Sequence, residues 1–318
     1  MAKFTMLIGI PASGKSSYTR GLSSGRVLSS DAIRETVLGD RKDQSHQGMV
    51  FDIMNRSAKI LLEEGHHVFY DATNISAKRR MALLKTLPKD TYKEALYFAI
   101  PVEDAISRDK KREHKVGEDV IMRMYKSLDV PMVHEGFDNI EYVKSTEYTG
   151  GDKKCSVGYH ELSTTIDTCF TSYQRFVDKF LKPSRITSGC IDFAQDNPNH
   201  TYSVSKHMYH TMEKFRDGDN DRLTMAAALH DCGKPHCKEF KEDGYACFYG
   251  HDKVSAQLAV YYMLEKGFKI EDIAYVSTLI NLHMRMHQQE GRTKLKKLIG
   301  EKMYKELELL HQADSTAK

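Results

Sequence analysis

Apolar residues in the first half of the chain follow two alternating kinds of spacing. Short apolar runs typical of buried strands lie at Phe4–Ile10, Val27–Ser29, His67–Tyr70 and Ala95–Ile100. Helical spacing begins at Lys15 and recurs over Met49–Leu62, Ala77–Leu87, Val102–His114 and Glu118–Leu128. Because strands that alternate with helices form parallel sheets, this pattern predicts an α/β domain with helices on both faces of the sheet.

The second half of the chain has almost no strand signals. Helical spacing recurs over Ile166–Phe180, Ser203–Phe215, Asp221–His230, Asp252–Lys266, Ile270–Met284 and Glu301–His311. A polar, turn-rich stretch, Thr149–Lys154, separates the two halves. A chain of 318 residues also exceeds what one compact core usually holds. We therefore predict an α/β domain at residues 1–148 and an all-α domain at residues 156–318.

Composition narrows the class of protein only slightly. The apolar share of 40% and the formal charge of +3 are ordinary for a soluble protein and are weak evidence for nucleic acid binding. The longest apolar runs, such as Met6–Ile10, are too short to cross a bilayer, and no signal-peptide pattern is visible. The six cysteines form no C-x-x-C pair. We expect a cytoplasmic protein with no membrane partner, no zinc ribbon and no redox motif.

The segment Gly9–Ser16 has the pattern G-x-x-x-x-G-K-S between a predicted strand and a predicted helix. In such a loop, backbone N–H groups and the helix N-terminus face anionic phosphates. Lys15 adds a charge at the β and γ phosphates, and Ser16 offers a hydroxyl to Mg²⁺. The pattern predicts ATP and Mg²⁺ as ligands. The predicted nucleotide-binding residues are Gly9, Ser13, Gly14, Lys15, Ser16 and Asp71.

Two charged groups follow the second predicted strand. Asp31 lies at the carboxyl end of the sheet, where ligands bind in such folds, and can accept a proton from an attacking hydroxyl. Arg34, one helical turn later, can hold an anionic group of the acceptor. The alternative for Asp31 is a helix N-cap.

Two further segments add candidate phosphate chemistry. Asp71 ends the third strand and can orient Mg²⁺, although turn formation is an alternative role. The basic segment Arg108–Arg112 has the character of a lid whose arginine neutralises charge on the transferred phosphoryl group. A solvated charged face is the alternative.

Taken together and in this order, these motifs resemble the bacteriophage polynucleotide 5′-kinase family over about residues 1–145. The matching segments are Gly9–Ser16, Ser30–Arg34, Asp71–Asn74 with Arg79 and Arg80, and Lys111–Arg112 ahead of Val120–Ile121 and Met124–Ser127. The resemblance implies transfer of the ATP γ-phosphate to a 5′-hydroxyl of RNA or DNA. It implies Asp31 as general base, Arg34 as a contact to the acceptor's phosphate, and Arg112 as the lid arginine.

Histidine is concentrated in the second half, where residues 200–318 hold nine of the 15. The adjacent pair His230-Asp231 follows an apolar helix, and both side chains can bind one divalent cation. His207 and Asp314 on other predicted helices complete a set of two imidazoles and two carboxylates. Such a set suits Mn²⁺, Fe²⁺, Co²⁺, Ni²⁺ or Mg²⁺ better than a thiolate zinc site does. His210, one turn beyond His207, is an alternative first ligand.

Three further residues belong to the same candidate metal site. His251 and His283 are candidates for a second metal or for hydrogen bonds to a phosphate, and Lys234 is a candidate for binding the substrate phosphate. Each histidine taken alone is more often structural than a ligand, but four of them in this order, with the paired aspartate, favour a metal site.

The same residues resemble the HD phosphohydrolase superfamily over about residues 193–318, and in particular the HD domains of bacterial tRNA nucleotidyltransferases. The matching segments are Asn197–His200, Ser203–His207, Ala227–Pro235, Phe248–His251, Leu282–His283 and Ala313–Asp314. The resemblance implies 2′,3′-cyclic phosphodiesterase, 2′-nucleotidase or 3′-phosphatase chemistry.

A kinase and a phosphohydrolase on one chain suggest an RNA end-healing enzyme whose products a separate RNA ligase joins. Two alternatives stay open. One is a nucleotide-metabolism enzyme with a small-molecule kinase and a nucleotidase, and the other is a kinase carrying an idle HD module that binds RNA. Because one fold hosts many functions, the fold alone does not decide among them.

Overall fold

The computed structural model describes residues 1–145, 160–198 and 200–317. The predicted domain boundary between residues 148 and 156, with its turn-rich stretch Thr149–Lys154, lies outside these residues. Contacts divide the described chain into two units. The N-terminal unit comprises residues 1–124 and 135–145, and the C-terminal unit comprises residues 125–134, 160–198 and 200–317.

The N-terminal unit is built on a parallel five-stranded sheet, which confirms the predicted α/β class. Its strands are β1 (Lys3–Ile8), β2 (Arg26–Ser29), β3 (His67–Asp71), β4 (Tyr92–Ala99) and β5 (Asn139–Lys144). Their spatial order is β2-β3-β1-β4-β5, so the chain leaves β1, returns beside it as β3 and then crosses to its other side as β4. Ligands of such sheets bind at the carboxyl ends of the strands where this reversal occurs.

Helices connect these strands. They are α1 (Lys15–Arg20), α2 (Ser30–Leu38), α3 (Gln47–Glu63), α4 (Ala77–Leu84), α5 (Val102–Lys110) and α6 (Glu118–Ser127). A buried cluster of Leu7, Phe69, Leu96 and Phe98, against which Tyr18 of α1 packs, holds the start of α1 on the sheet. Burying these side chains stabilises the fold and sets where the loop after β1 lies.

The sequence pattern did not predict β5, which pairs with β4 from Glu94↔Asn139 to Ala99↔Lys144. Its residues are half-buried or exposed and include Glu141 and Lys144, so it lacks the apolar run that marks the central strands. An edge strand with one bonded neighbour tolerates such polar residues.

The C-terminal unit is helical, as predicted, with one short hairpin that was not. Its helices are α7 (Leu162–Cys169), α8 (Tyr173–Arg175), α9 (Val204–Glu213), α10 (Asp221–Leu229), α11 (Lys234–Cys237), α12 (His251–Lys266), α13 (Ile270–Leu282), α14 (Arg292–Ile299) and α15 (Glu301–Thr316). The hairpin pairs β6 (Glu239–Phe240) with β7 (Ala246–Cys247). No helix among the described residues is long and apolar enough to span a membrane.

The single helix predicted over Ile166–Phe180 is wrong. The first helix, α7, ends at Cys169. A new helix, α8, begins after Ser172, whose side chain accepts a hydrogen bond from the Arg175 N–H, and a π-helical segment follows over Phe176–Leu181. The break lets Phe170 pack edge to face against Phe176 and Phe180. Aromatic packing therefore overrides the helical spacing of the sequence.

Candidate phosphate-binding and metal sites

The loop between β1 and α1 has the backbone geometry of a phosphate cradle. Gly14, at the N-cap of α1, has φ +105°, a left-handed value that favours glycine. A Cβ on Gly9 would lie 2.7 Å from the Ser13 Oγ and 3.3 Å from the Phe98 carbonyl oxygen, so a side chain there would displace the Ser13 hydroxyl and crowd β4. The two glycines thus let the backbone turn tightly enough for its N–H groups to face an anion.

Lys15 is buried beneath this loop. Its Nζ donates to the Gly9 carbonyl at 2.7 Å, to the Ile10 carbonyl at 2.9 Å and to the Ser13 Oγ at 3.3 Å. Burial lowers the pKa of Lys15 to about 8, although Asp71 and Asp31 oppose the shift. Lys15 is therefore a positive charge held in the loop, and its lowered pKa lies only slightly above neutral pH. Ser16, the predicted Mg²⁺ ligand, is exposed at the start of α1.

Asp31 and Arg34 form an ion pair at the carboxyl end of β2. The Arg34 Nη1 donates to the Asp31 Oδ1 at 2.8 Å, one turn along α2. The Asp31 side chain is 57% exposed, whereas that of Arg34 is 7% exposed. A buried guanidinium thus holds a carboxylate that an incoming hydroxyl can reach.

Asp71 is the last residue of β3 and is buried. Burial raises its pKa, Lys15 lowers it, and Asp31 raises it further. The structure therefore brings Lys15, Asp31 and Asp71 within electrostatic reach of one another. A divalent cation near the two carboxylates would relieve both the burial penalty and their mutual repulsion.

The predicted lid arginine, Arg112, lies beyond the end of α5. Its side chain is 45% exposed, and its Nη1 is 3.8 Å from the Asp109 Oδ1. The helix predicted through His114 ends at Lys110, because Asp109 accepts hydrogen bonds from the Val116 and Gly117 N–H groups and folds the chain back. Arg112 is thus on a turn rather than on a helix.

Two supports of this site escaped the sequence analysis. Arg80 forms a buried bidentate ion pair with Glu135, at 2.7 and 2.5 Å, and also donates to the Asn74 carbonyl at 2.8 Å. Arg108 donates to the Ser145 Oγ at 2.5 Å, and that hydroxyl bonds to the Ser13 carbonyl of the loop. Neither pairing has a sequence signal, since the partners are 55 and 37 residues apart.

In the C-terminal unit, four predicted ligands converge. His207 on α9, His230 and Asp231 after α10, and Asp314 on α15 place one ligand atom each within 4.8 Å of all the others. The Nε2 of His207 lies 2.9 Å from the Asp314 Oδ1 and 3.2 Å from the Asp231 Oδ2. His210, the alternative first ligand, lies outside this group and pairs with Glu213 at 3.5 Å.

The turn that carries His230 and Asp231 requires glycine at its end. A Cβ on Gly233 would lie 2.6 Å from the backbone nitrogen of Ser255, and the Gly233 N–H donates to the Ser255 Oγ at 2.8 Å. This close approach holds the turn against α12, the helix that begins at His251.

The buried histidines share one orientation. The Nδ1 atoms of His207, His230, His251 and His283 face the backbone carbonyls of Ala317, Ala227, Phe248 and Ile280 at 2.6–2.8 Å. A carbonyl only accepts hydrogen bonds, so each Nδ1 carries a proton and each Nε2 is the nitrogen left to take either a metal ion or a second proton. This tautomer is the one in which histidine binds a metal through Nε2.

The second predicted pair, His251 and His283, shares Asp231 with the first group. The Nε2 of His251 is 3.2 Å from the Asp231 Oδ1, and the three side chains form a second group with ligand atoms within 4.8 Å. The Nε2 of His283 is buried and has no hydrogen-bond partner among the described residues. Burial lowers the pKa of His283 to about 3, and His251 and His230 lower it too, so the imidazole is neutral.

The donor set fits divalent cations. Lone pairs of several Nε2 atoms and carboxylate oxygens meet in a buried space, where they repel one another unless a proton or a cation lies between them. Burial disfavours the charged form of His207, but hydrogen bonds to Asp231 and Asp314 outweigh it and raise the pKa to about 9. In the first group, the nitrogen ligands would come from His207 and His230, and the oxygen ligands from Asp231 and Asp314. Mixed nitrogen and oxygen ligands of this kind suit transition metals.

Lys234 lies beside the shared carboxylate. Its Nζ is 2.6 Å from the Asp231 Oδ2 and donates to the Gln195 Oε1 at 2.7 Å, and the side chain is buried. His200 is also close to the group, with its ring 5.7 Å from that of His207 and its Nδ1 buried without a partner among the described residues. Burial and then Lys234 lower the pKa of His200 to about 4. Neither Gln195 nor His200 has a role predicted from the sequence.

Comparison with known proteins assigns each half. Residues 4–131 match the family model of the AAA domain, and residues 199–318 match that of the HD domain. L-seryl-tRNA(Sec) kinase of Methanococcus maripaludis is 27% identical over 142 residues, which are 42% of this chain and 55% of that protein. Transcription factor bHLH140 of Arabidopsis thaliana is 28% identical over 196 residues, which are 56% of this chain and 20% of that protein. The chain thus spans about half the length of the first relative and a fifth of the length of the second.

Among solved structures, a chain of the Pnkp1/Rnl/Hen1 RNA repair complex is 19% identical, with a TM-score of 0.37, and the match covers 50% of this chain and 52% of that one. The two family matches and the two sites lie in the same halves of the chain. The chain therefore joins a P-loop kinase domain of the AAA type to a C-terminal HD domain.

Proposed function

We propose that this chain is a bifunctional RNA end-healing enzyme. Its N-terminal domain is an ATP-dependent 5′-hydroxyl polynucleotide kinase, and its HD domain is a metal-dependent 2′,3′-cyclic phosphodiesterase and 3′(2′)-phosphatase. A separate RNA ligase would act downstream on the healed ends. The observation that carries the proposal is the presence of two candidate sites of different chemistry on one chain: the loop over Lys15 with Asp31 and Asp71, and the histidine–aspartate set around Asp231.

In the kinase reaction, the acceptor hydroxyl binds at the exposed carboxylate of Asp31. Its oxygen forms a bond to the γ-phosphorus while the bond between that phosphorus and the β,γ-bridging oxygen breaks, and the electron pair leaves with ADP. The proton passes to Asp31, which Arg34 holds in position from its buried side. Lys15 and the turn with Arg112 supply positive charge at the phosphates. Ser16 and Asp71 would hold Mg²⁺, which would neutralise charge on the phosphates of ATP.

One comparison favours an acceptor carried by RNA. The relative named L-seryl-tRNA(Sec) kinase phosphorylates, by its name, a hydroxyl borne by a tRNA, and it matches 42% of this chain. A basic turn around Arg112 and a buried Arg34 are suited to the phosphates that flank such a hydroxyl. DNA ends are the other substrate class that this chemistry admits.

In the HD domain, the ligand groups would hold divalent cations that activate a water molecule and polarise the phosphate. Asp231 contributes one oxygen to each of two groups and so sets the spacing between them. Lys234 balances the charge of that carboxylate, and in this proposal it also contacts the substrate phosphate. Hydrolysis opens the cyclic ester by forming one P–O bond from water and breaking one P–O bond to a ribose oxygen, which takes the proton.

The test uses a short RNA with a 5′-hydroxyl and a 2′,3′-cyclic phosphate, incubated with ATP, Mg²⁺ and Mn²⁺ and analysed by mass spectrometry. We expect the unmodified protein to change both ends, Lys15→Ala to lose only 5′ phosphorylation and Asp231→Ala to lose only 3′-end processing. His210→Ala, outside both sites, is the control that keeps both activities.

Three outcomes would contradict the proposal. If neither RNA end changes while free nucleotides react, the protein is a nucleotide-metabolism enzyme. If RNA is bound and phosphorylated but its 3′ end never changes, the HD domain is an idle binding module. A DNA oligonucleotide of the same sequence, phosphorylated in preference to the RNA, would reassign the acceptor.

A further inference from the structure

A third group of potential metal ligands lies next to the histidine–aspartate set, and two of its members have no role predicted from the sequence. It consists of His287, His311 and Asp314, whose ligand atoms lie within 4.8 Å of one another. His287 ends a 3₁₀ turn, His283–His287, that directly follows α13. His311 and Asp314 are three residues apart on α15, so both face the same side of that helix.

The two oxygens of Asp314 face different groups. Its Oδ1 lies 2.9 Å from the Nε2 of His207 and 3.7 Å from that of His230, whereas its Oδ2 lies 3.3 Å from the Nε2 of His287. Asp231 divides its oxygens in the same way, with Oδ2 toward His207 and Oδ1 toward His251. Each aspartate is therefore placed as a bridge from the central group to a neighbouring one.

The third group also has ligand capacity that the protein does not use. The Nδ1 of His311 is buried and has no hydrogen-bond partner among the described residues. The rings of His287 and His311 meet edge to face with centroids 4.4 Å apart. A buried, unpartnered nitrogen costs free energy unless it binds a cation or water.

From these contacts we propose that His287, His311 and Asp314 bind a divalent transition-metal ion of their own, in addition to any ion held by the first and second groups. Two imidazoles and one carboxylate favour Mn²⁺, Co²⁺, Ni²⁺ or Zn²⁺ over Ca²⁺. Three protein ligands leave coordination positions open. Since the His287 side chain is 39% exposed, water or a phosphate oxygen can fill them. The role of this ion rests on the proposed HD function. Because His287 is half-exposed while the histidines of the first and second groups are buried, the ion would be the one nearest to solvent and to an entering phosphate.

The competing explanation is a purely positional role, in which His287 donates a hydrogen bond that orients Asp314 toward the central group. His287→Gln separates the two roles, because the glutamine amide can still donate to Asp314 but is a poor ligand for a transition metal. His311→Gln removes the second imidazole. His210→Gln is the matched control, since His210 has the same 39% side-chain exposure and pairs with an acidic residue.

The experiment is equilibrium dialysis of the full chain against Co²⁺ without nucleotide, followed by metal analysis. Omitting ATP keeps the kinase domain from retaining an ion, because Mg²⁺-type sites of such domains rely on nucleotide phosphates for ligands. We expect three ions per chain for the unmodified protein and His210→Gln, and two for His287→Gln and His311→Gln. Circular dichroism and thermal melting show whether each variant is folded. If His311→Gln unfolds, the metal count of His287→Gln decides the result, because the His287 side chain is half-exposed and its replacement should be tolerated.

Saturation of the unmodified protein at two ions, or an unchanged count in folded His287→Gln, would overturn the third site. Hydrolysis of the RNA 3′ end is measured in parallel. Three ions without hydrolysis would refute the proposed HD function and leave the third site standing. Hydrolysis with two ions would do the reverse.

Discussion

The buried ion pair between Arg80 and Glu135 supports the kinase site, and its loss has a calculable effect. The side chains are 1% and 0% exposed, and two hydrogen bonds of 2.7 and 2.5 Å join them. Glu135→Gln keeps the shape of the side chain but leaves the Arg80 charge uncompensated in the interior. Breaking one partner of such a pair costs about 3–5 kcal/mol of the free energy of unfolding.

That loss is large relative to the stability of a domain, which is about 5–15 kcal/mol. For a unit of this size we expect the melting temperature to fall by roughly 10 °C or more. The assay is thermal unfolding of the full chain with and without ATP and Mg²⁺, because ligand binding identifies the transition of the kinase unit by shifting it upward. ATP affinity should also fall, since Arg80 holds the Asn74 carbonyl in the loop that follows Asp71.

Two controls make the test specific. Glu118→Gln breaks an exposed pair with Lys110 in the same unit, at 3.1 Å, and should change stability by no more than about 1 kcal/mol. The double variant Arg80→Met with Glu135→Met removes both charges and should recover most of the loss. If Glu135→Gln destabilises the protein no more than Glu118→Gln does, the reasoning about an uncompensated buried charge is wrong.

Three further predictions concern the two sites. Burial lowers the pKa of Lys15 to about 8, so the positive charge of this lysine is present below pH 8 and is lost above it. The Kd for ATP, measured by calorimetry, should therefore rise up to about tenfold per pH unit above pH 8. The Kd of Lys15→Met should not depend on pH in this range. Asp31→Asn should keep ATP affinity yet slow phosphoryl transfer by about 10²–10⁴-fold in single-turnover assays, and an unchanged rate would exclude Asp31 as the base. His283→Gln should lower the bound metal count by one without affecting the kinase, and a full metal count would remove His283 from the ligand set.

Much of the fold follows from local sequence. The alternation of strands and helices depends on the spacing of apolar residues, and the predicted strands lie within a few residues of β1 to β4. The run predicted as Phe4–Ile10 ends at Ile8, because the phosphate loop begins at Gly9. The helix predicted over Val102–His114 ends at Lys110, because the carboxylate of Asp109 accepts hydrogen bonds from the Val116 and Gly117 N–H groups and turns the chain.

The phosphate loop could be recognised because its parts are contiguous. Gly9, Gly14 and Lys15 act through the backbone they share, so a short pattern contains most of the geometry. The pair His230-Asp231 is recognisable for the same reason, since the two residues are adjacent in the sequence and the structure keeps their side chains in one group. In both cases the sequence distance between the interacting groups is small.

Partnerships between distant residues were decided only by the tertiary structure. Arg80 and Glu135 pair across 55 residues, and His287 meets Asp314 across 27. Nothing in the local pattern marks such pairs, because the cost of an unpaired buried charge arises only after the surrounding helices and strands have packed. Packing also determines that the carboxylate of Asp314 faces two groups of histidines at once, His207 with His230 and His287 with His311.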